Sequence, residues 1–141
     1  MGKEGVSMRE ILFRGKRLDG GAWVTGYYLE LGPEFQKRSY IVPFDANGMY
    51  TFEVNKDTVG QFTGKVDKCG ERIFEGDIVR VIERNVVMDG GFVTFNKERG
   101  EWTVQGIDGS SCNLARRTDI QVICSIYDVG EILKGVDHVS V

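Results

Sequence analysis

Residues 59–81, VGQFTGKVDKCGERIFEGDIVRV, constrain this chain more than any other stretch. Gly64, Gly70 and Gly76 recur at intervals of six between short runs of mixed apolar and polar residues. Glycine enters the left-handed backbone region at no steric cost, so glycines placed in this way mark chain reversals. The stretch therefore reads as two strands joined by a tight turn at Asp67-Lys68-Cys69-Gly70. A second reversal at Glu75-Gly76-Asp77 then launches a third strand. Asp67, Lys68, Gly70, Glu75, Gly76 and Asp77 are the candidate turn and interaction residues.

The same rhythm runs through the rest of the chain. Nineteen glycines stand against two prolines, roughly twice the usual ~7 % glycine, and they are dispersed among Val- and aromatic-rich runs as turns between short strands. With 41 % hydrophobic residues, among them 8 Phe, 5 Tyr and 2 Trp, the chain can pack a core, which excludes wholesale disorder. No apolar run approaches the ~20 residues of a membrane-spanning helix, and the N-terminus shows no secretory h-region. Cys69, Cys112 and Cys124 form no CxxC pair. The expectation is thus reduced thiols in a cytoplasmic setting, with Cys69 exposed at a turn tip.

Taken in order, residues 1–7 (MGKEGVS) read as an extension that frays. Residues 8–58 read as an N-terminal antiparallel meander. Its first strand is expected over residues 9–14, opened by Met8. In the second, Trp23, Thr25, Tyr27, Leu29 and Leu31 share one face opposite Val24, Gly26, Tyr28 and Glu30. Tyr40, Val42 and Phe44 share a face of the third, which Pro43 confines to a sheet edge or to its own end. Asp45-Ala46-Asn47-Gly48 is a hairpin signal, and Tyr50, Phe52 and Val54 return as its partner. A turn or one-turn helix over residues 55–58 leads into a central hairpin, residues 59–75, expected to lie between two lobes. Residues 76–127 hold five short strands: 78–83, 92–96 after a polar patch at Arg84-Asn85, 101–107, 112–115 and 120–126. That pattern reads as an SH3-like barrel whose closure removes exposed edges. Residues 128–141 read as a short helical turn followed by a tail.

No constellation of residues supplies reaction chemistry. The one histidine is His138, so His-based triads and His-rich metal sites have no residues to build on. GxSxG, GxxxxGK[ST] and GxGxxG are absent. Glu71, Glu75 and Asp77 are close enough in sequence to share a face for acid–base or divalent-metal work. Two of them flank a turn glycine, however, where acids ordinarily solvate a loop. No catalytic residue, cofactor or metal ligand is assigned.

Basic residues occur in small groups, Arg14/Lys16/Arg17, Lys37/Arg38, Lys65/Lys68 and Arg116/Arg117, and Phe62, Phe74, Phe92, Phe95 and Trp102 could serve as stacking platforms for nucleic acid. The formal net charge of −3 opposes that reading, and aromatics at strand period ordinarily belong to a core.

The segments VGQFTG, DKCG and IFEGDIV, with the opening MREILFRGKRLDGGAWVTGYY and the closing QVICSIYDVGEIL, resemble the YopX family of small phage- and prophage-encoded proteins. The resemblance covers residues 8–133. Two positions depart from the pattern: Cys69 stands where Asn or a similar residue is usual, and Val129-Gly130 stands for Asn-Pro. The resemblance implies a mostly β protein of phage or prophage origin, located in the host cytoplasm and self-associating. It implies no catalysed reaction. The expectation is therefore an all-β accessory protein acting by protein–protein contact as a homo-oligomer, with an unidentified phage or host protein as partner and no membrane association. The alternative is a nucleic-acid-binding module that uses the loop Arg/Lys pairs and exposed aromatics.

Overall fold

A computed structural model describes residues 10–45, 50–83 and 86–130. These residues form strands and short 3-10 turns, and the strands lie in two sheets whose registered neighbours are all antiparallel. No helix among them is long and apolar enough to cross a membrane. The chain divides into two compact units between Gly64 and Lys65, inside the central stretch.

The first unit contains β1 (Phe13–Lys16), β2 (Trp23–Leu31), β3 (Arg38–Pro43), β4 (Phe52–Val54) and most of β5 (Gly60–Val66), in the sheet order β4-β3-β2-β1-β5. β1 to β4 are neighbours in sequence and in the sheet, which is the expected meander. The sheet curls until the end of β1 meets β4. Arg17 bridges Val54, the Leu18 N–H donates to the Glu53 carbonyl (3.0 Å), and the Asn55 N–H donates to the Lys16 carbonyl (2.8 Å). Pro43 closes β3, as a residue without an N–H must when the strand is flanked on both sides. Residues paired across an antiparallel ladder share a face. Gly26↔Pro43, Tyr28↔Ile41, Ile41↔Phe52 and Ser39↔Val54 thus define one side, on which Gly26, Ser39, Ile41 and Val54 are buried. The aromatic-rich alternate of β2 lies on the other side, where Tyr27 and Leu31 are exposed. Residues 55–58 form the expected turn, a 3-10 turn at Lys56–Thr58 in which Asn55 Oδ1 accepts from the Asp57 N–H.

Two expectations for this unit are corrected. β1 begins at Phe13 rather than Arg9, and residues 10–12 are not in a strand, because pairing with β2 ends at Phe13↔Gly26. β4 begins at Phe52, leaving Tyr50 outside it and exposed. Met8, Arg9, the extension over residues 1–7 and residues 46–48 of the Asp45–Gly48 hairpin signal lie outside the described residues.

In the second unit β6 (Arg72–Phe74), which follows β5 in the first sheet's order, precedes β7 (Asp77–Glu83), β8 (Val86–Asn96), β9 (Glu101–Gln105), β10 (Ser111–Asn113), a 3-10 turn (Leu114–Arg116) and β11 (Ile120–Ser125). The second sheet runs β10-β9-β8-β7-β11. Ile73, Val79, Val81, Val93, Val104, Leu114 and Ile120 form its buried core. Where the sequence reading placed a break before Phe92, β8 runs on from Val86 as a bent strand. The register jumps from Val79↔Gly91 to Val81↔Met88, so Asp89-Gly90 is a bulge, with Gly90 at φ 79°. A side chain at Gly91 would stand 2.7 Å from Val104 Cγ1, so the bend can pack only around glycine. A second bulge between Val122 and Cys124 turns Ile123 outward in β11. Extra residues of this kind increase local twist and curl a sheet. β10 and β11 are not laddered to each other among the described residues. The outer edge of β11 is covered by the central turn, described next. At the end of the chain Ile126–Asp128 is a 3-10 turn and Val129-Gly130 are helical. The remainder of the expected helical turn and the tail, with His138, lie outside the described residues.

Candidate interaction surface

Gly64, Gly70 and Gly76 all have positive φ, 89°, 85° and 92°. Gly70 and Gly76 stand at reversals as the spacing required. Gly64, in contrast, lies within β5 and does not turn the chain, because glycine can take positive φ inside a strand as well as in a turn. Asp67 organises the first tight turn. Its Oδ1 accepts from the Cys69 N–H (2.8 Å) and the Glu71 N–H (2.9 Å), and its Oδ2 accepts from the Val122 N–H (2.9 Å). The Lys68 N–H donates to the Ile120 carbonyl (3.0 Å). β11 ends the sheet order, so these bonds lie on its outer side and occupy polar groups that would otherwise form an open edge. Burial pushes the Asp67 carboxyl up. The amides of Val122, Glu71 and Cys69, with the Lys68 ammonium nearby, outweigh it and hold the group below its ordinary value. Cys69 is exposed at the turn tip, as expected.

Asp77 plays the corresponding part in the second reversal. It is fully buried, and its Oδ2 accepts from the Phe74 N–H (2.8 Å). The Gly76 N–H donates to the Val93 carbonyl (2.9 Å), and the Gly76 carbonyl accepts from the Ile126 N–H (2.8 Å). Glu75 is half-buried and Glu71 exposed. Among the described residues no three His, Cys, Asp or Glu side chains come together in a group that could hold a metal ion, so Glu71, Glu75 and Asp77 are not assembled as one. Lys68 Nζ lies 3.6 Å from Asp119 Oδ1. The six candidate residues are thus neighbours along two turns, with Asp67 and Asp77 committed to backbone amides. Sequence reasoning missed the role of Lys65. Its ammonium donates to the carbonyls of Ala115 and Arg117 at the end of the 3-10 turn, a partnership some fifty residues away that leaves no local signal.

An apolar-lined surface lies in the first unit. An open groove of about 520 Å³ is lined by Glu10, Ile11, Leu12, Phe13, Tyr27, Tyr28 and Phe44. Among the described residues β1 and β2 differ in extent: β1 covers Trp23–Gly26, while β2 continues to Leu31 in register with β3. Ile11 (54 % exposed), Tyr27 (55 %) and Phe44 (39 %) leave apolar surface there. On its polar flank the Tyr28 hydroxyl lies 2.9 Å from Ser39 Oγ and donates to Glu30 Oε1 (3.2 Å).

Basic side chains also meet aromatic rings in this unit. The Arg14 guanidinium lies 4.6 Å and the Lys16 ammonium 5.4 Å from the Trp23 ring centre, and Arg17 lies 4.1 Å from that of Phe52. None of these rings was among the stacking platforms expected from the sequence. Of those platforms, Phe62 and Phe74 are buried, and Phe95 packs edge-on against Trp102 at 4.9 Å.

Turns clamped by aspartates and two curled antiparallel sheets, one beside an apolar groove, define an all-β protein. Residues 12–134 match the YopX protein family, so the chain belongs to that family over most of its length. No curated protein and no solved structure gives a match.

Proposed function

We propose that the protein acts by protein–protein contact rather than by catalysis, as a phage or prophage accessory protein that forms a homo-oligomer in the host cytoplasm. The observation that carries this reading is the exposed apolar surface beside β2, where Ile11, Tyr27 and Phe44 border one groove and Leu31 is exposed at the end of the strand. Monomeric proteins rarely expose contiguous apolar surface of this kind without a partner for it. Family membership supports the phage setting through the resemblance described above. For the second unit, the order β10-β9-β8-β7-β11 with a 3-10 turn before the last strand supports an SH3-like barrel, a scaffold that commonly serves as a binding module.

Light scattering at micromolar concentration tests self-association. A dimer or larger species is expected, and Tyr27→Lys with Leu31→Lys should shift it toward monomer without loss of the folded signal. A monomer throughout the range would overturn the self-association. Pull-down from infected or lysogenic cells, read for both protein and nucleic acid, tests the partner. The second reading, nucleic-acid binding, is favoured by the Arg14–Trp23–Lys16 cluster. It requires binding that weakens steeply with salt.

A further inference from the structure

We propose that residues 65–71, the end of β5 and the turn after it, are an edge guard: they hold β11 out of antiparallel pairing with β11 of a second copy, and the Asp67 carboxylate stands in for the strand that such pairing would supply. Among the described residues the second sheet's order ends at β11. Successive residues of a strand direct their backbone groups to opposite sides. Asp119 and Gln121 serve the inner side: the Ile82 N–H donates to the Asp119 carbonyl (2.9 Å), and Gln121 is paired with Arg80. Ile120 and Val122 therefore direct theirs outward. There the Lys68 N–H donates to the Ile120 carbonyl (3.0 Å), and the Val122 N–H donates to Asp67 Oδ2 (2.9 Å). The first bond is an ordinary ladder rung. In the second a side-chain oxygen takes the place of a strand carbonyl, while the other oxygen of Asp67 is held by the Cys69 and Glu71 amides. Two further ties lie alongside. The Lys65 ammonium donates to the carbonyls of Ala115 (3.3 Å) and Arg117, and Lys68 Nζ lies 3.6 Å from Asp119 Oδ1.

The composition of β11 shows why a cover is needed and identifies the occupant it keeps away. Ile120–Ser125 reads IQVICS, without a charge, a proline or a glycine. Windows of this length and composition pair readily with their own copies. Edge strands ordinarily carry a charge or a proline against such pairing. β11 has neither, and the charges come instead from the residues laid over it, Lys65, Asp67, Lys68 and Glu71. In a two-fold antiparallel pair each strand meets the same strand reversed, so an uncharged strand brings no like charges together. Ile123, turned outward by the bulge and 53 % exposed, leaves apolar surface on the strand. The inference does not rest on the groove, which belongs to the first unit.

The test uses the full chain with Tyr27→Lys and Leu31→Lys as parent, so that association through the groove does not enter, and adds Asp67→Asn. The amide keeps an oxygen for the Cys69 and Glu71 N–H groups and turns a donor toward the Val122 N–H, so the guard loses that rung alone. Light scattering is expected to show mass rising with concentration in the Asp67→Asn chain and not in its parent. Hydrogen exchange locates the contact. At low concentration the Val122 amide should exchange about tenfold faster than in the parent, and it should regain protection as concentration rises. Adding Ile123→Lys should abolish both the mass increase and the regained protection, because a charge on the strand opposes its own copy. Should Asp67→Asn lose its folded circular dichroism signal, Lys65→Met, which frees the other end of the guard, decides by the same readouts. A folded variant whose mass matches the parent at every concentration, or whose Val122 exchange ignores concentration, would overturn the proposal. Association that survives Ile123→Lys would do the same, by placing the contact elsewhere. A natural chain that is monomeric throughout would sink the self-association proposed for the groove and leave this inference standing.

Discussion

At the scale of the residue, Asp67 and Gly76 carry more of the second unit than their neighbours do. Asp67 satisfies three backbone amides, one of them 55 residues away. Asp67→Ala would leave these donors to find water, and it should cost about 2–4 kcal/mol in chemical denaturation at neutral pH. The carboxyl is held below its ordinary value, so the unfolded chain binds more protons than the folded one in acid. Its contribution is therefore fully present above the unfolded value of ~4 and lost as pH falls through the lower folded value. The stability gap between the natural chain and Asp67→Ala should accordingly narrow below about pH 4. A gap that widened in acid would contradict the assignment. Gly76 combines a φ of 92° with a crowded surround, since a Cβ there would lie 3.1 Å from Tyr127 Cε2, whereas Gly70, at φ 85°, has nothing within 4 Å. Gly76→Val should cost on the order of 1–2 kcal/mol from strain alone, and more than Gly70→Val. Equal losses would remove the role given to Tyr127.

At the scale of the element, β2 has the greatest consequences. It meets β1 over its first four residues and β3 over its last six, and Gly26 is the residue where both pairings coincide. A Cβ at Gly26 would stand 1.9 Å from the Val42 carbonyl oxygen, a backbone atom that cannot rotate aside. Gly26→Ala must therefore push β3 away, and it should cost about 1–3 kcal/mol by overpacking. Hydrogen exchange should quicken first in β3. If β3 amides stayed as protected as before, the close approach would not be holding the pair together. That β2 is a long two-faced strand is legible from its alternation of side chains. Which face is buried is not. Trp23, Tyr27, Leu29 and Leu31 form the more hydrophobic face by composition, yet the buried positions include Gly26, Ser39 and Ile41 of the other, because the sheet curls toward that side.

At the scale of the whole molecule, the distribution of charge bears on the choice between the two functions. The formal net charge is −3, and several basic side chains are engaged locally: Lys37 with Glu34 (3.0 Å), Arg38 with Glu53 (3.8 Å), Lys68 with Asp119 (3.6 Å) and Arg99 with Glu101 (3.8 Å). Exposed pairs of this kind add little stability, but they place acids beside the cations that a phosphate backbone would need. In a gel-shift series at low salt, no micromolar binding of duplex or single-stranded nucleic acid is expected. Micromolar binding would instead favour the second reading. If it weakened with a slope of about 0.7–0.9 per phosphate contact and Arg14→Ala reduced the slope, the Trp23 cluster would be its site.

Sequence alone determined the all-β class, the family and the positions of the reversals at Gly70 and Gly76. The tolerance of glycine for positive φ is a local steric property, and local properties can be read from neighbouring residues. Tertiary structure decided what no local pattern contains: that β1 starts at Phe13 beside a groove, that Gly90 bends a long strand rather than ending one, and that the second oxygen of Asp67 reaches Val122. Each of these depends on the register between strands distant in sequence. Register is set by the summed packing of whole faces, so it becomes legible only once the faces have met.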